Sequence, residues 1–239
     1  MSTSPILRRA LAEFIGTALL LVAVIGSGIA AQRLSPHETG LALLENAVAT
    51  GSALVAIILA LGSVSGAHLN PVVSVADAML GGLGGRELGA YLVAQVGGGA
   101  LGAVLANLMF SLPAVTISQH GRTTPNLWLG EVIATFGLLL VIFGVARSGR
   151  ASMAPFAVGA YITGAYWFTS STSFANPAVT LARTLSDTFA GIAPASVPGF
   201  VAAQLVGTGL AVGVVRTLWP DIASVAGVVV VPHHSGEVA

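Results

Sequence analysis

Two asparagine–proline pairs are the residues of this chain whose type and setting most suggest chemistry. One lies in Gly66-Ala67-His68-Leu69-Asn70-Pro71-Val72-Val73-Ser74, the other in Ser173-Phe174-Ala175-Asn176-Pro177-Ala178-Val179-Thr180. Proline has no N–H, so it suits the first turn of a helix, where that donor has no intrahelical partner. Asparagine before it is a good N-cap, and its amide carries two further donors. Each stretch reads as a loop, a cap and the start of a short helix, with Val72 and Ala178 in the first turns. A helix start carries roughly half a positive charge. Two such ends facing each other would repel cations and hydronium. Asn70 and Asn176 would then donate to one passing oxygen, which suits neutral polar solutes and breaks a chain of hydrogen-bonded waters.

A single Asn-Pro is an ordinary turn; two in matched apolar contexts point to a pore. Glu13, Glu131, Gln95 and Gln204 also stand inside apolar sequence. Ionisable residues within membrane segments are functional by default, which opens a proton-relay reading for the two glutamates. His68, beside the first pair, either responds to pH or bonds locally. His233 and His234 resemble a metal pair only superficially and read as a solvated tail, while Asp77 and Asp187 belong to half-helix ends or loops. No nucleophile–base pair or metal-ligand cluster stands out, so no enzyme, metal site or cofactor is expected.

The elements that must position these residues are set by composition. Of 239 residues, 55% are hydrophobic and 8% charged, and the mean hydropathy is +0.91. Soluble domains carry about a quarter charged residues, so this chain belongs in lipid. Net charge is zero and all nine basic residues are arginine, which leaves no electrostatic case for nucleic acid. The absence of cysteine excludes disulfides and thiolate metal sites. The 30 glycines suit helices that approach closely in a membrane. Apolar runs predict six spans near residues 10–31, 41–63, 86–110, 127–146, 155–168 and 199–218. The first competes with a signal peptide, but it is long for one and contains Glu13. Val72–Leu80 and Val179–Leu185 are too short to span and read as re-entrant half-helices. Residues 220–239 form a polar C-terminal tail in which the run Val228–Val231 is too short to cross.

The chain also repeats itself. Glu13 matches Glu131, Asn70 matches Asn176 and Gln95 matches Gln204, at offsets of 118 (131 − 13), 106 (176 − 70) and 109 (204 − 95). Repeats of about 8–110 and 127–219 each hold three spans and one half-span. Three is odd, so the second repeat runs inverted across the membrane. With both termini cytoplasmic, Arg8, Arg9, Arg86, Arg147, Arg150 and Arg216 lie inside and Arg33, Arg122 and Arg183 outside, in keeping with the positive-inside rule. The expected fold is an all-α membrane protein with six transmembrane helices and two re-entrant half-helices, forming one channel domain over residues 1–239. A secondary transporter is the runner-up, because inverted repeats and broken helices occur there too. No carboxylate next to either Asn-Pro offers it a coupling-ion site.

With these motifs in register, the chain resembles the aquaporin and aquaglyceroporin family, the major intrinsic proteins, from Ala12 to Trp219. Cation exclusion by half-helix ends is that family's own established example of pore electrostatics. The resemblance implies one pore per subunit, a homotetramer in the lipid bilayer, and Glu13 and Glu131 holding the re-entrant loops. It places Pro71 and Pro177 with the two asparagines at the pore midplane, and Gln95, Gln204 and His68 among the loop supports. It implies a selectivity filter of Thr50, Gly164, Ser173 and Val179, with Tyr166 replacing Gly164 if the loop after the fifth span is shorter. Two departures matter. The first motif reads Asn-Pro-Val, and Val179 stands where the family has arginine. Arg183, one turn on, is not expected to replace that arginine. A filter without it resembles bacterial members found in arsenic-resistance gene clusters. That implies water, glycerol-like polyols and undissociated arsenite, a neutral polyhydroxyl at pH 7, as solutes.

Overall fold

The computed structural model of the chain describes residues 5–222, which are helical or loop throughout. His233, His234 and the run Val228–Val231 lie outside the described residues. In chain order the helices are α1 (Pro5–Leu34), α2 (Thr39–Ser65), α3 (Pro71–Leu80), α4 (Gly85–Met109), α5 (Pro125–Arg147), α6 (Ala154–Phe168), α7 (Pro177–Ala182) and α8 (Val197–Leu218). Helices apolar on all sides have no polar face to offer water. Leu19, Leu59, Leu105, Leu129 and Leu210 accordingly stay exposed on the outside of the bundle. A bilayer accepts them, because a helix satisfies its own backbone hydrogen bonds.

Five segments are long and apolar enough to cross a membrane: α1, α2, α4, α5 and Pro194–Leu218, which contains α8. The remaining span, α6, has 15 residues and is entered from a 3₁₀ turn at Ala151–Met153. At about 1.5 Å per α residue and 2 Å per 3₁₀ residue, the two together reach roughly 28 Å, near the ~30 Å of hydrocarbon to be crossed. The fold therefore has six transmembrane helices and two half-helices, α3 and α7. The α1 run is a 30-residue helix with one face buried in the bundle, which is the role of a span. One boundary needs correction. The second half-helix begins at Pro177, not Val179, and keeps α geometry only to Ala182, with Arg183–Leu185 tightened into a 3₁₀ turn.

α1 packs along α4 and α2, and α5 packs along α8 and α6, so the two repeats use the same pairings. The α1–α4 seam is closed by Gly98 and Gly102, where a Cβ would run into the carbonyls of Phe14 and Ala18. Small residues let backbones meet in this way inside a bilayer, where no hydrophobic force pushes helices together.

Polar contacts mark two opposite ends of the bundle. At the first end, where α1 begins, Arg9 binds Tyr91 and Glu87 at the start of α4. Arg216 of α8 donates to the Met79 carbonyl of α3, and Arg147 of α5 pairs with Asp221. At the second end, Arg33 of α1 donates to the Phe110 carbonyl after α4, and Ser170 after α6 donates to the Asn126 carbonyl of α5. The 111–124 connection lies across this second end, pinned by Thr116 and Ser118 amides donating to the Leu185 and Thr184 carbonyls.

Candidate functional site

Each half-helix is preceded by a loop in an unusual backbone state. Ala67 and Leu69 have φ of 46° and 52°, and Ser173 and Ala175 have φ of 50° and 46°. These are the residues three and one before each asparagine. Left-handed backbone at residues with a Cβ costs about 1–2 kcal/mol each, so something must hold it. A buried carboxylate does so in each repeat. Glu13 accepts from the amides of His68 and Leu69 at 2.9 and 2.7 Å, and from Ser65 Oγ and Gln95 Nε2. Glu131 accepts from the amides of Phe174 and Ala175, both at 2.8 Å, and from Gln204 Nε2. The glutamines reach on to the half-helices, Gln95 to Ser74 Oγ and Gln204 to Thr180 Oγ1. Both glutamates are fully buried, with their oxygens engaged by donors, the geometry of a strut more than of a proton relay.

The two asparagines are used twice over. Asn70 Oδ1 accepts from the Val72 amide, and Asn176 Oδ1 accepts from the amides of Ala178 and Val179. That fixes which way each amide faces. Asn70 Nδ2 then donates to the Ala175 carbonyl at 2.7 Å, and Asn176 Nδ2 donates to the Leu69 carbonyl at 2.8 Å. The loops are thus laced across the pseudo-two-fold axis, each asparagine gripping the carbonyl just before the other. An amide nitrogen carries two hydrogens. One holds the opposite loop, and the second is left for the lumen.

Both asparagines line a cavity of about 60 Å³ between the repeats. Its apolar wall is itself repeated, with Leu20 facing the role of Leu138 and Val24 that of Ile142. Towards the second end, Thr50 Oγ1 and the Tyr166 hydroxyl meet at 3.2 Å, with Val179 and Phe174 completing the wall. Of the residues expected at the filter, Thr50 and Val179 line this cavity, and Gly164 and Ser173 are not in its wall. Gly164 faces the Phe168 ring, because Tyr166, two residues on, is rotated by about 200° to the lumen side of α6. Ser173 is buried off the cavity, and Phe174 lines it instead. Val72 and the two prolines are buried behind the asparagines, and Ala178 is fully buried beside them.

Phe174 was missed by sequence reasoning although a signal existed. It stands two residues before Asn176, as His68 stands two before Asn70, and both line the cavity. The register continues. Seven residues after each asparagine comes the side chain that backs this lumen residue. His68 Nε2 lies 3.7 Å from Asp77 Oδ2, while its Nδ1 meets Ser74 Oγ at 3.0 Å. On the other side the Arg183 guanidinium carbon sits 3.5 Å from the centre of the Phe174 ring, and its Nε donates to the Ala190 carbonyl. Arg183 is 2% exposed and is not part of the cavity wall. Arg122, from the connecting loop, approaches the same ring at 5.1 Å and donates to the Gly191 and Ser171 carbonyls. Burial lowers the Arg122 pKa from the ordinary arginine value, opposed by the charge of Glu131. Nothing in the sequence marked Arg122, since only the path of the loop brings it here.

Six spans, two half-helices meeting at laced asparagines and a narrow lumen along them define a membrane channel of inverted-repeat design. Comparisons with known proteins agree. The profile of the major intrinsic protein family matches residues 1–173. The chain is 50% identical over 211 residues to aquaglyceroporin AqpS of Rhizobium meliloti (strain 1021), covering 88% of this chain and 90% of that one. It is 34% identical over 217 residues to a probable aquaporin, AqpM, of Archaeoglobus fulgidus, covering 80% and 87%. Its fold is similar to that of the aquaglyceroporin from Plasmodium falciparum, with a TM-score of 0.68 at 21% identity over 91% of this chain and 98% of that one. The chain belongs to the major intrinsic protein family. It is a multi-pass membrane channel for small neutral solutes, not an enzyme.

Proposed function

We propose that the chain passes water, glycerol-like polyols and undissociated arsenite through a filter formed by Thr50, Tyr166, Phe174 and Val179. The observation that carries this reading is Val179 in the cavity wall, with Arg183 withdrawn behind Phe174. A lumen free of a fixed guanidinium has more room and fewer donors competing for the solute's hydroxyls. A neutral polyhydroxyl can lay its carbon or arsenic side on Val179 and Phe174. Its hydroxyls can meet Thr50, Tyr166 and, further in, Asn70 and Asn176. Arsenite enters on the same footing as glycerol, as an uncharged triol of similar reach.

The reading includes the sidedness and assembly that the arginine distribution and the resemblance imply. Both termini are cytoplasmic, the 111–124 connection is outside, repeats of about 8–110 and 127–219 form one channel unit, and four copies associate. The outward leucines of α1, α2, α4, α5 and α8 are compatible with either lipid or neighbouring subunits.

The test is stopped-flow light scattering on proteoliposomes under gradients of sucrose, glycerol and arsenite. Rapid re-swelling with glycerol and arsenite, independent of proton or sodium gradients, is expected. Shrinkage under sucrose with no solute re-entry would reduce the reading to a water channel. Saturable uptake that needs an ion gradient would favour a transporter.

A further inference from the structure

We propose that Arg183, seconded by Arg122, is the charge-selectivity residue of the outer constriction and acts through the Phe174 ring, without hydrogen-bonding the solute. The proposal rests on the channel reading above and on the geometry behind the lumen wall. In each repeat the residue seven after the motif asparagine backs the residue two before it. The first repeat puts the carboxylate of Asp77 there, against His68. The second puts the guanidinium of Arg183 there, stacked on Phe174 at 3.5 Å. The fold thus reserves this position for a side chain that acts on the lumen from behind.

Three observations separate charge from contact. Arg183 is buried and off the cavity wall, so the solute meets the ring and not the guanidinium. Its Nε is committed to the Ala190 carbonyl, which anchors the side chain in this pose. Among the described residues neither Arg183 nor Arg122 has a carboxylate within salt-bridge distance. Glu131 sets one carboxylate against the two guanidiniums, and it is itself held by the amides of Phe174 and Ala175 and by Gln204. A positive field in a poorly screened interior extends well beyond one ring thickness.

The ring itself adds to the effect. A bare aromatic face attracts cations within about 6 Å, so Phe174 alone would be a cation site in the lumen. With a guanidinium stacked on it and a second at 5.1 Å, that attraction is already spent. In a filter with arginine in the wall, one side chain both narrows the lumen and repels cations. Here Val179 and Phe174 set the width, and the displaced arginines supply the charge.

The experiment uses the full-length protein in proteoliposomes, reading cation leak by reversal potential and glycerol flux by re-swelling of the same vesicles. Arg183→Met is expected to raise the ratio of cation leak to glycerol flux roughly tenfold. Arg122→Met should raise it less, and Arg183→Lys, which keeps charge but not the planar stack, should bring it back towards wild type. Wild-type ratios in both methionine variants, in vesicles that still conduct glycerol, would overturn the proposal while leaving the channel reading intact. Wild-type vesicles without solute flux would instead sink the channel reading itself. If Arg183→Met does not assemble, Arg122→Met decides, and a wild-type ratio of cation leak to glycerol flux there would equally overturn the proposal.

Discussion

Val179 and Arg183 lie one helical turn apart in sequence, yet Val179 lines the cavity while Arg183 sits over the Phe174 ring and off the cavity wall. Val179 touches the lumen with an aliphatic surface, and Arg183 is held off it by Phe174 and the Ala190 carbonyl. Placing arginine at residue 179 therefore adds a long side chain and a fixed fork of donors at a position that presents only an aliphatic surface. Its fork would have to find carbonyls or water within a cavity of about 60 Å³. Val179→Arg is expected to lower glycerol and arsenite flux by a larger factor than water flux, measured by stopped-flow shrinkage and re-swelling. Equal losses for all three would mean that the substitution blocks the pore and says nothing of selectivity. Glycerol and arsenite flux at wild-type rates would show that residue 179 does not set the width.

At the scale of elements, the half-helices depend on each other more than on their own length. α7 has six residues and α3 ten, both far too short to be stable alone. They are held by their caps, by the two carboxylate struts and by the crossed asparagine amides. An aspartate at either position keeps the cap but cannot donate to the opposite carbonyl. Asn70→Asp leaves the Ala175 carbonyl unpaired, and Asn176→Asp does the same to Leu69. A buried acceptor without its donor costs about 1–3 kcal/mol, and a carboxylate between the half-helices offsets their positive ends. Both variants are expected to give less folded protein in detergent, and the folded fraction should leak cations in the reversal-potential assay. Two well-folded variants with wild-type flux and no leak would remove the amides from the exclusion mechanism.

At the scale of the whole molecule, the chain contains no cysteine. A mercurial that blocks a channel by capping a pore thiol has no thiolate to attack here. Water and glycerol flux of the purified protein in liposomes should be unaffected by mercuric chloride. Rapid inhibition reversed by a thiol reagent would contradict this.

The same scale separates what was legible in the sequence from what was not. Span number, the two half-helices and the inverted order of the repeats follow from apolar run length, from Asn-Pro chemistry and from the recurrence of Glu, Asn-Pro and Gln. All of these are properties of the chain read locally or compared with itself. The pairing of Glu13 with Gln95, and of Glu131 with Gln204, was visible as a repeated set. The amides those carboxylates bind were not, because they depend on left-handed residues at Ala67, Leu69, Ser173 and Ala175 that no β-branched or glycine signal announces.

The lining of the cavity was beyond local reading for a related reason. Whether Gly164 or Tyr166 faces the lumen is a question of helix phase. Two residues turn a helix by about 200°, and the loop length that fixes the phase is decided by where α7 docks. The exchange of Ser173 for Phe174, the position of Arg183 behind that ring and the arrival of Arg122 from a distant loop share this origin. The sequence determined which elements cross the membrane and which two stop half-way, because burying backbone in lipid leaves few alternatives. Only the tertiary structure decided which side chains line the cavity, because that depends on how six helices rotate and on how two short loops cross at a shared axis.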